Sequence, residues 1–169
     1  MRNFSAAFFM LALLIISLVG CRGNGDPLSY QNGELSADII ICKNGSSVSG
    51  KLWLGARADG APRDATLVLT APVSVKGIKI ERIGGEIHAD VGGYGFDAHR
   101  DLLFVAELFS LDENIVSAET ATLDGIAVTK LQVSATVGDV MVWLAEDGTP
   151  IKFETDGMEV LIRLKQTNR

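Results

Sequence analysis

Histidine and cysteine, which are suited to acid–base and nucleophilic chemistry near neutral pH, are scarce in this chain, which has two of each. The sequence contains no G-x-S-x-G, H-E-x-x-H or C-x-x-C motif and no glycine loop of P-loop spacing. We therefore expect a protein that is not an enzyme and that uses no cofactor.

A metal site is the first alternative to consider. Asp97, His99 and Asp101 alternate along the chain and would meet a metal ion if this stretch were extended. Two carboxylates and one imidazole are a thin ligand set, and aspartate is also a common helix N-cap. We interpret the stretch as a loop running into a helix and predict no metal site.

Cys21 has a clearer chemical role, because it directly follows an apolar run. Residues 4–19 are apolar except for two serines, and Arg2 precedes them. A basic start followed by a short apolar segment is typical of a secretory signal. A bilayer span needs about 20 apolar residues, which is longer than this run. The pattern predicts a signal peptide at residues 1–20.

The end of this run, Leu18-Val19-Gly20-Cys21, resembles the lipobox of bacterial lipoproteins. The resemblance implies that the thiol of Cys21 receives a diacylglycerol and that a peptidase cuts before it. Acyl chains such as palmitate would then anchor the protein on the extracytoplasmic side of a bacterial membrane, in the cell envelope. Residues 21–34 would form the lipidated cysteine and a flexible tether, since residues 22–27 are mostly small and polar.

The charge of the mature chain argues against nucleic acid as a partner. Cleavage removes Arg2 and no acidic residue, which changes the net charge from −6 to −7. Such a surface repels phosphate backbones. Cys42 remains as a single thiol within an apolar run, and we interpret it as a small buried residue, not a reactive one. No disulfide is then available, so a hydrophobic core must stabilise the domain at residues 35–169.

Strands account for most of this domain. Asn-Gly and Asp-Gly pairs, such as Asn44-Gly45 and Asp124-Gly125, favour tight hairpin turns, and apolar residues alternate between them with period two. One packed face and one wet face are typical of an antiparallel sheet. The predicted strands are residues 35–42, 48–56, 65–71, 77–83, 86–91, 115–123, 126–136, 140–146, 151–155 and 158–165.

Two stretches between strands differ in character. Residues 92–95, Gly-Gly-Tyr-Gly, are interpreted as a turn with an aromatic residue beside it. Residues 99–111 have apolar spacing that suits a helix of about three turns. The sequence thus predicts a mainly β fold: a single strongly curved antiparallel sheet of ten or eleven strands with one short helix.

Residues 67–72, Leu-Val-Leu-Thr-Ala-Pro, followed by the Gly84-Gly85 turn, resemble early strands of the LolA/LolB-like superfamily. Residues 147–164 are similar to its final pair of strands. The resemblance implies an unclosed β-barrel whose concave side is covered by helices and which carries or senses lipids or acylated proteins. This chain lacks a substantial helix before the first strand, and no residue is matched to the arginine that controls the carriers' lid. The carrier role is therefore not transferred.

Two functions remain open. In the first, the concave face binds an apolar ligand, a lipid or acyl chain, beneath the helix. Met141 and Trp143 share one face of their strand, so either both line the ligand site on the concave face or neither does. The candidate ligand-binding residues are Met141, Trp143, Trp53, Leu103 and Phe109. In the second, the protein is a structural or interaction lipoprotein whose curved sheet docks another envelope protein.

We predict that Cys21→Ser blocks lipid incorporation and leaves an unprocessed precursor, because only a thiol forms the thioether. Labelling with a radioactive fatty acid measures the incorporation. Label in the Cys21→Ser protein would show that the lipobox interpretation is wrong.

Overall fold

The computed structural model describes residues 26–57, 62–92, 94–97, 104–111 and 114–164. They form a 3₁₀ turn at Ser29–Gln31, one α-helix, α1, at Phe104–Glu107, and eleven strands. The strands are β1 (Leu35–Lys43), β2 (Ser46–Leu54), β3 (Ala65–Ala71), β4 (Lys79–Ile83), β5 (Glu86–Val91), β6 (Tyr94–Asp97), β7 (Ile115–Leu123), β8 (Ile126–Ala135), β9 (Gly138–Leu144), β10 (Pro150–Thr155) and β11 (Met158–Leu164).

All eleven strands belong to one antiparallel sheet in the order β6-β5-β4-β3-β2-β1-β11-β10-β9-β8-β7. Strands that are neighbours in sequence pair with each other, except that β6 and β7 form the two edges. The pairing of β1 with β11 joins the two halves of the sheet. The sheet is not closed, which confirms the predicted mainly β, unclosed-barrel fold.

Turn chemistry fixes the register of the hairpins. Asn44 and Gly45 have φ angles of 51° and 76° between β1 and β2. Asp124 and Gly125 have φ angles of 50° and 81° between β7 and β8. Two consecutive positive φ angles define the type I′ turn, whose twist matches that of paired strands. The residue-glycine pairs therefore act as the sequence predicted.

One face of the sheet packs around α1 and the residues that follow it. Phe109 contacts Phe153 of β10, with ring centroids 4.8 Å apart in an edge-to-face arrangement. Ala89 of β5 and Val133 of β8, near opposite edges of the sheet, belong to the same buried cluster. Strands so far apart in one sheet can share a cluster because the sheet curves. The packed face is the concave face, and we call the opposite face the outer face.

Two predictions are corrected by the backbone. Tyr94–Asp97 forms β6, and the turn before it is shorter than expected, because Gly92, with φ of 63°, turns the chain directly. The described part of the predicted helix is a single turn, Phe104–Glu107, followed by non-helical residues. The remaining residues of the predicted helix, 99–103, lie outside the described residues.

The segment expected to form the tether begins to pack before β1. Leu28 is 2% exposed and Gln31 is 1% exposed, and Leu28 belongs to the main buried cluster. The 3₁₀ turn that contains Gln31 therefore covers part of the domain. Within the described part of residues 21–34, Leu28 and Gln31 are buried, whereas Ser29 and residues 32–34 are exposed.

Within the described ranges, no helix has both the length and the apolar character needed to cross a bilayer.

We predict that Val160→Asp prevents stable folding. Val160 is fully buried between Ile41 and Phe153 on the concave face. An unpaired charge there should cost about 4 kcal/mol or more of unfolding free energy. Val116→Asp is the matched control, because Val116 is 57% exposed on β7. Urea unfolding measures both variants, and equal stabilities would contradict the assigned core.

Candidate functional site

The concave face has two unlike ends. We call the end where β1 begins, at Leu35, the closed end, and the end where β1 finishes, at Lys43, the open end. At the closed end Arg63 is 2% exposed. Its Nε donates to the carbonyl of Gly55 at 2.8 Å, and its Nη1 donates to the carbonyl of Phe109 at 3.0 Å. Its Nη2 donates to the carbonyl of Gly33.

Arg63 thus ties together the end of β2, the segment after α1 and the segment before β1. Burial lowers the pKa of Arg63, and the charges of Arg57 and Arg82 lower it further. Arginine is not deprotonated in proteins, so the guanidinium keeps its charge. Its three hydrogen bonds compensate for the loss of water around the charge.

Arg82 of β4 connects this cluster to the helix. It is 3% exposed; its Nε donates to the carbonyl of Arg63 at 2.7 Å, and its Nη1 forms an ion pair with Glu107 of α1. Glu107 is partly exposed, so water reaches one side of the pair. The two arginines fix the helical segment against the closed end of the sheet.

The 3₁₀ turn completes the closed end. Tyr30 packs near Phe153, with ring centroids 6.3 Å apart, and burial raises the pKa of its hydroxyl above the ordinary value. Gln31 accepts a hydrogen bond from Arg57 at 3.1 Å. Phe109 and Leu108 fill the space between this turn and the sheet. A ligand at the closed end would therefore have to displace core side chains.

The open end contains a cavity of about 440 Å³. Phe104 at the start of α1, Val137 in the β8–β9 turn and Met158 at the start of β11 form its apolar wall. All three are half-buried and pack against the main buried cluster. Lys43, Thr155 and Asp156 form its polar rim. This arrangement can hold an apolar group while its polar end stays near water.

The structure does not bring together the four predicted site residues that it describes, namely Met141, Trp143, Trp53 and Phe109. Of the two outcomes left open for Met141 and Trp143, the structure shows the second: neither lines the concave face. Val140, Val142 and Leu144 occupy the concave face of β9, and period-two alternation places Met141 and Trp143 on the outer face. The structure therefore does not place Met141 and Trp143 in a hollow beneath the helix.

Trp143 has a different environment from the one expected. Lys130 and Lys152 lie over its ring, with their Nζ atoms 5.2 and 5.4 Å from the ring centroid. Burial opposes the charge of Lys152, but a hydrogen bond to Glu159 and the charge of Glu154 outweigh it and raise its pKa. Trp143 is therefore part of a cation–π row that stabilises the outer face.

The other predicted ligand-binding residues do not lie together either. Trp53 lies on the outer face of β2, 41% exposed, while Leu52 and Leu54 face the core. Phe109 lies on the concave side but is fully buried as a core residue. Leu103 lies outside the described residues.

Among the described residues, no three histidine, cysteine, aspartate or glutamate side chains lie close enough together to hold a metal ion. His99 and Asp101 of the alternating stretch lie outside those residues.

Cys42, at the end of β1, is half-buried rather than fully buried.

Sequence reasoning missed both the arginines and the cavity wall. Arg63 and Arg82 resemble surface charges in the sequence because isolated arginines are rarely buried without partners, and their partners are distant carbonyls. Phe104, Val137 and Met158 come from three separate elements. The signal that was available is that Val137 and Met158 flank predicted turns, where apolar residues are less expected.

Comparison with solved structures finds proteins of similar fold. MucB is 17% identical with a TM-score of 0.51, over 83% of this chain and 56% of MucB. An uncharacterised conserved protein from Thermus thermophilus is 11% identical with a TM-score of 0.52, over 85% of each chain. The lipoprotein LppX from Mycobacterium tuberculosis is 16% identical with a TM-score of 0.43, over 85% of this chain and 96% of LppX.

This chain therefore spans little more than half the length of MucB. No protein-family model and no curated protein matches the sequence. At these identities the likeness concerns the fold, and the sheet is that of a LolA-like half-barrel.

We predict that Arg63→Lys lowers the unfolding free energy by about 2 kcal/mol or more. A lysine has its donors at one point on a flexible stem, so it leaves buried carbonyls unsatisfied, each at a cost of about 1–3 kcal/mol. Arg163→Lys, on the exposed outer face of β11, should change stability by less than about 0.5 kcal/mol. Chemical unfolding compares the two, and a tolerated Arg63→Lys would refute the role of the three-carbonyl contact.

Proposed function

We propose that this protein is a lipid-anchored protein of the bacterial cell envelope that binds an apolar chain, such as an acyl chain, in the open-end cavity. The observation that carries the proposal is the cavity of about 440 Å³ with a wall of Phe104, Val137 and Met158. Sites for small molecules are typically apolar hollows of about 300–1,000 Å³ with a few polar groups. The cavity has that size, and its apolar wall is bordered by a polar rim.

The unclosed barrel supplies the reason for a cavity at this place. At the closed end, Arg63, Phe109 and the 3₁₀ turn fill the concave face. At the open end, α1 begins at Phe104, Val137 lies in the β8–β9 turn, and Met158 follows the β10–β11 turn. Apolar side chains there are half-buried, so the described residues leave part of their surface uncovered. An apolar ligand would cover them and remove their surface from water.

The anchor would be the lipid on Cys21, with residues 22–27 as the tether. Six residues reach at most about 20 Å when extended. The first packed residue, Leu28, lies just before the 3₁₀ turn at the closed end. The nine residues of β1 separate that end from the cavity by roughly 30 Å. The ligand entrance would therefore lie at the end of the domain remote from its anchor.

The anchor and the cavity are separable parts of the proposal. Cys42→Ser is the matched control for Cys21→Ser, because it removes the other thiol of the chain and should leave lipid incorporation intact. Loss of incorporation in both variants would point to a general folding or export defect.

We predict that Met158→Ser and Phe104→Ser each weaken binding of a fluorescent fatty acid at least tenfold, about 1.4 kcal/mol. The protein lacking residues 1–21 is titrated, and melting temperatures show whether each variant is folded. Ile40→Ser is the matched control, because Ile40 is apolar and 41% exposed on the outer face. It should bind the fatty acid as tightly as the unmodified protein.

Intrinsic fluorescence provides a second criterion, because both tryptophans lie on the outer face. A ligand in the open-end cavity should leave their emission nearly unchanged. If Trp53→Ala or Trp143→Ala weakens binding while Met158→Ser does not, the ligand site is on the outer face and the proposed cavity site is wrong.

A further inference from the structure

The edge strand β7 is long, and among the described residues it pairs with β8 alone. Residues 116–120 form a continuous exposed stretch, so both faces of the strand contact water. Val116 is 57% exposed, and Ile126, at the start of β8, is 64% exposed. The opposite edge strand, β6, has four residues, whereas β7 has nine.

The turn before β8 determines which backbone groups of β7 point outward. Asp124 and Gly125 form a two-residue turn, and such a turn closes with a hydrogen bond between its flanking residues, here Leu123 and Ile126. Hydrogen-bonded and non-hydrogen-bonded pairs alternate along an antiparallel ladder. Ala118, Thr120 and Thr122 occupy the non-hydrogen-bonded pairs with β8. Their N–H and C=O groups therefore point away from the sheet.

Three common protections of a sheet edge, namely lysine, proline and short length, are missing from β7. Edge strands are commonly blunted by lysine, by proline or by short length. The nine residues of β7 include no lysine and no proline. A bulge near Ile115–Ser117 disturbs the start of the strand, but Ser117–Leu123 pairs regularly with β8. The outward groups thus form a regular row that another strand can extend.

We propose that β7 is an interaction edge to which an extended segment of another protein adds as a twelfth strand. Main-chain hydrogen bonds to Ala118, Thr120 and Thr122 would provide the binding, as in known strand addition. The β7–β8 hairpin has two acidic residues, Glu119 and Asp124, and one basic residue, Lys130. The whole chain has a net charge of −6. A segment rich in β-branched residues and carrying lysine or arginine fits this edge.

A second copy of this chain fits the edge less well. Two copies would each bring the same net negative charge, and pairing about the centre of β7 would place Glu119 opposite Glu119. One pair of nine-residue strands also buries less than the roughly 1,000 Å² expected of a stable dimer. This inference does not depend on the open-end cavity.

The test is panning of a random nonapeptide library, displayed on phage, against the full chain in detergent. Thr120→Pro removes an outward N–H and leaves the bonds to β8 intact, and Thr120→Val keeps that N–H. Enriched peptides should be β-branched and basic. A synthetic copy should bind the unmodified chain and Thr120→Val equally and Thr120→Pro at least tenfold more weakly. Circular dichroism verifies folding, and Thr122→Pro replaces Thr120→Pro if that variant fails to fold.

Two results would overturn the proposal. In the first, no enriched peptide distinguishes the unmodified chain from the folded proline variant. In the second, analytical ultracentrifugation shows a dimer of the unmodified chain that the proline variant lacks, which would assign the edge to a second copy.

Discussion

The described turn of helix, α1, and the residues after it pack on the concave face of an eleven-stranded sheet, and two buried arginines hold this segment there. An isolated helix of four residues is unstable, because nucleation costs more than so few hydrogen bonds return. Arg63 fixes the segment after α1 through the carbonyl of Phe109, and Arg82 fixes α1 itself through Glu107. A guanidinium suits this role because its donors diverge in a rigid plane and reach several acceptors at once. The packing of Phe109 on Phe153 depends on these contacts.

This arrangement makes the two ends of the half-barrel chemically different. Polar contacts are concentrated at the closed end, where the chain enters the domain and the concave face is filled. The open end has no comparable arginine cluster among the described residues, and its half-buried apolar side chains surround a cavity. The outer face is stabilised differently, by the row in which Lys130 and Lys152 flank Trp143. An aromatic residue on the outer face of this sheet is thus not by itself a sign of a ligand site.

Much of the fold was predictable because its determinants are local. Period-two alternation and residue-glycine turns predicted β3, β5 and β7 with the observed bounds and most other strands within two residues. The departures also have local causes. Gly92 turns the chain tightly enough for Tyr94 to begin β6. Most of the described residues 104–111 are buried, as the apolar spacing indicated. Only Phe104–Glu107 of them is helical, because burial does not require regular backbone.

The sequence by itself determined the class of fold, the position of the hairpins and which residues of each strand share a face. It did not determine which of the two faces is concave. Alternation grouped Met141 with Trp143, but only the curvature of the assembled sheet decided that Val142 and Phe109 occupy the interior instead. The partners of Arg63 were likewise hidden, because its acceptors are backbone carbonyls up to 46 residues away. Carbonyls are the same at every residue, so sequence carries no signal for such contacts, and tertiary structure alone selects them.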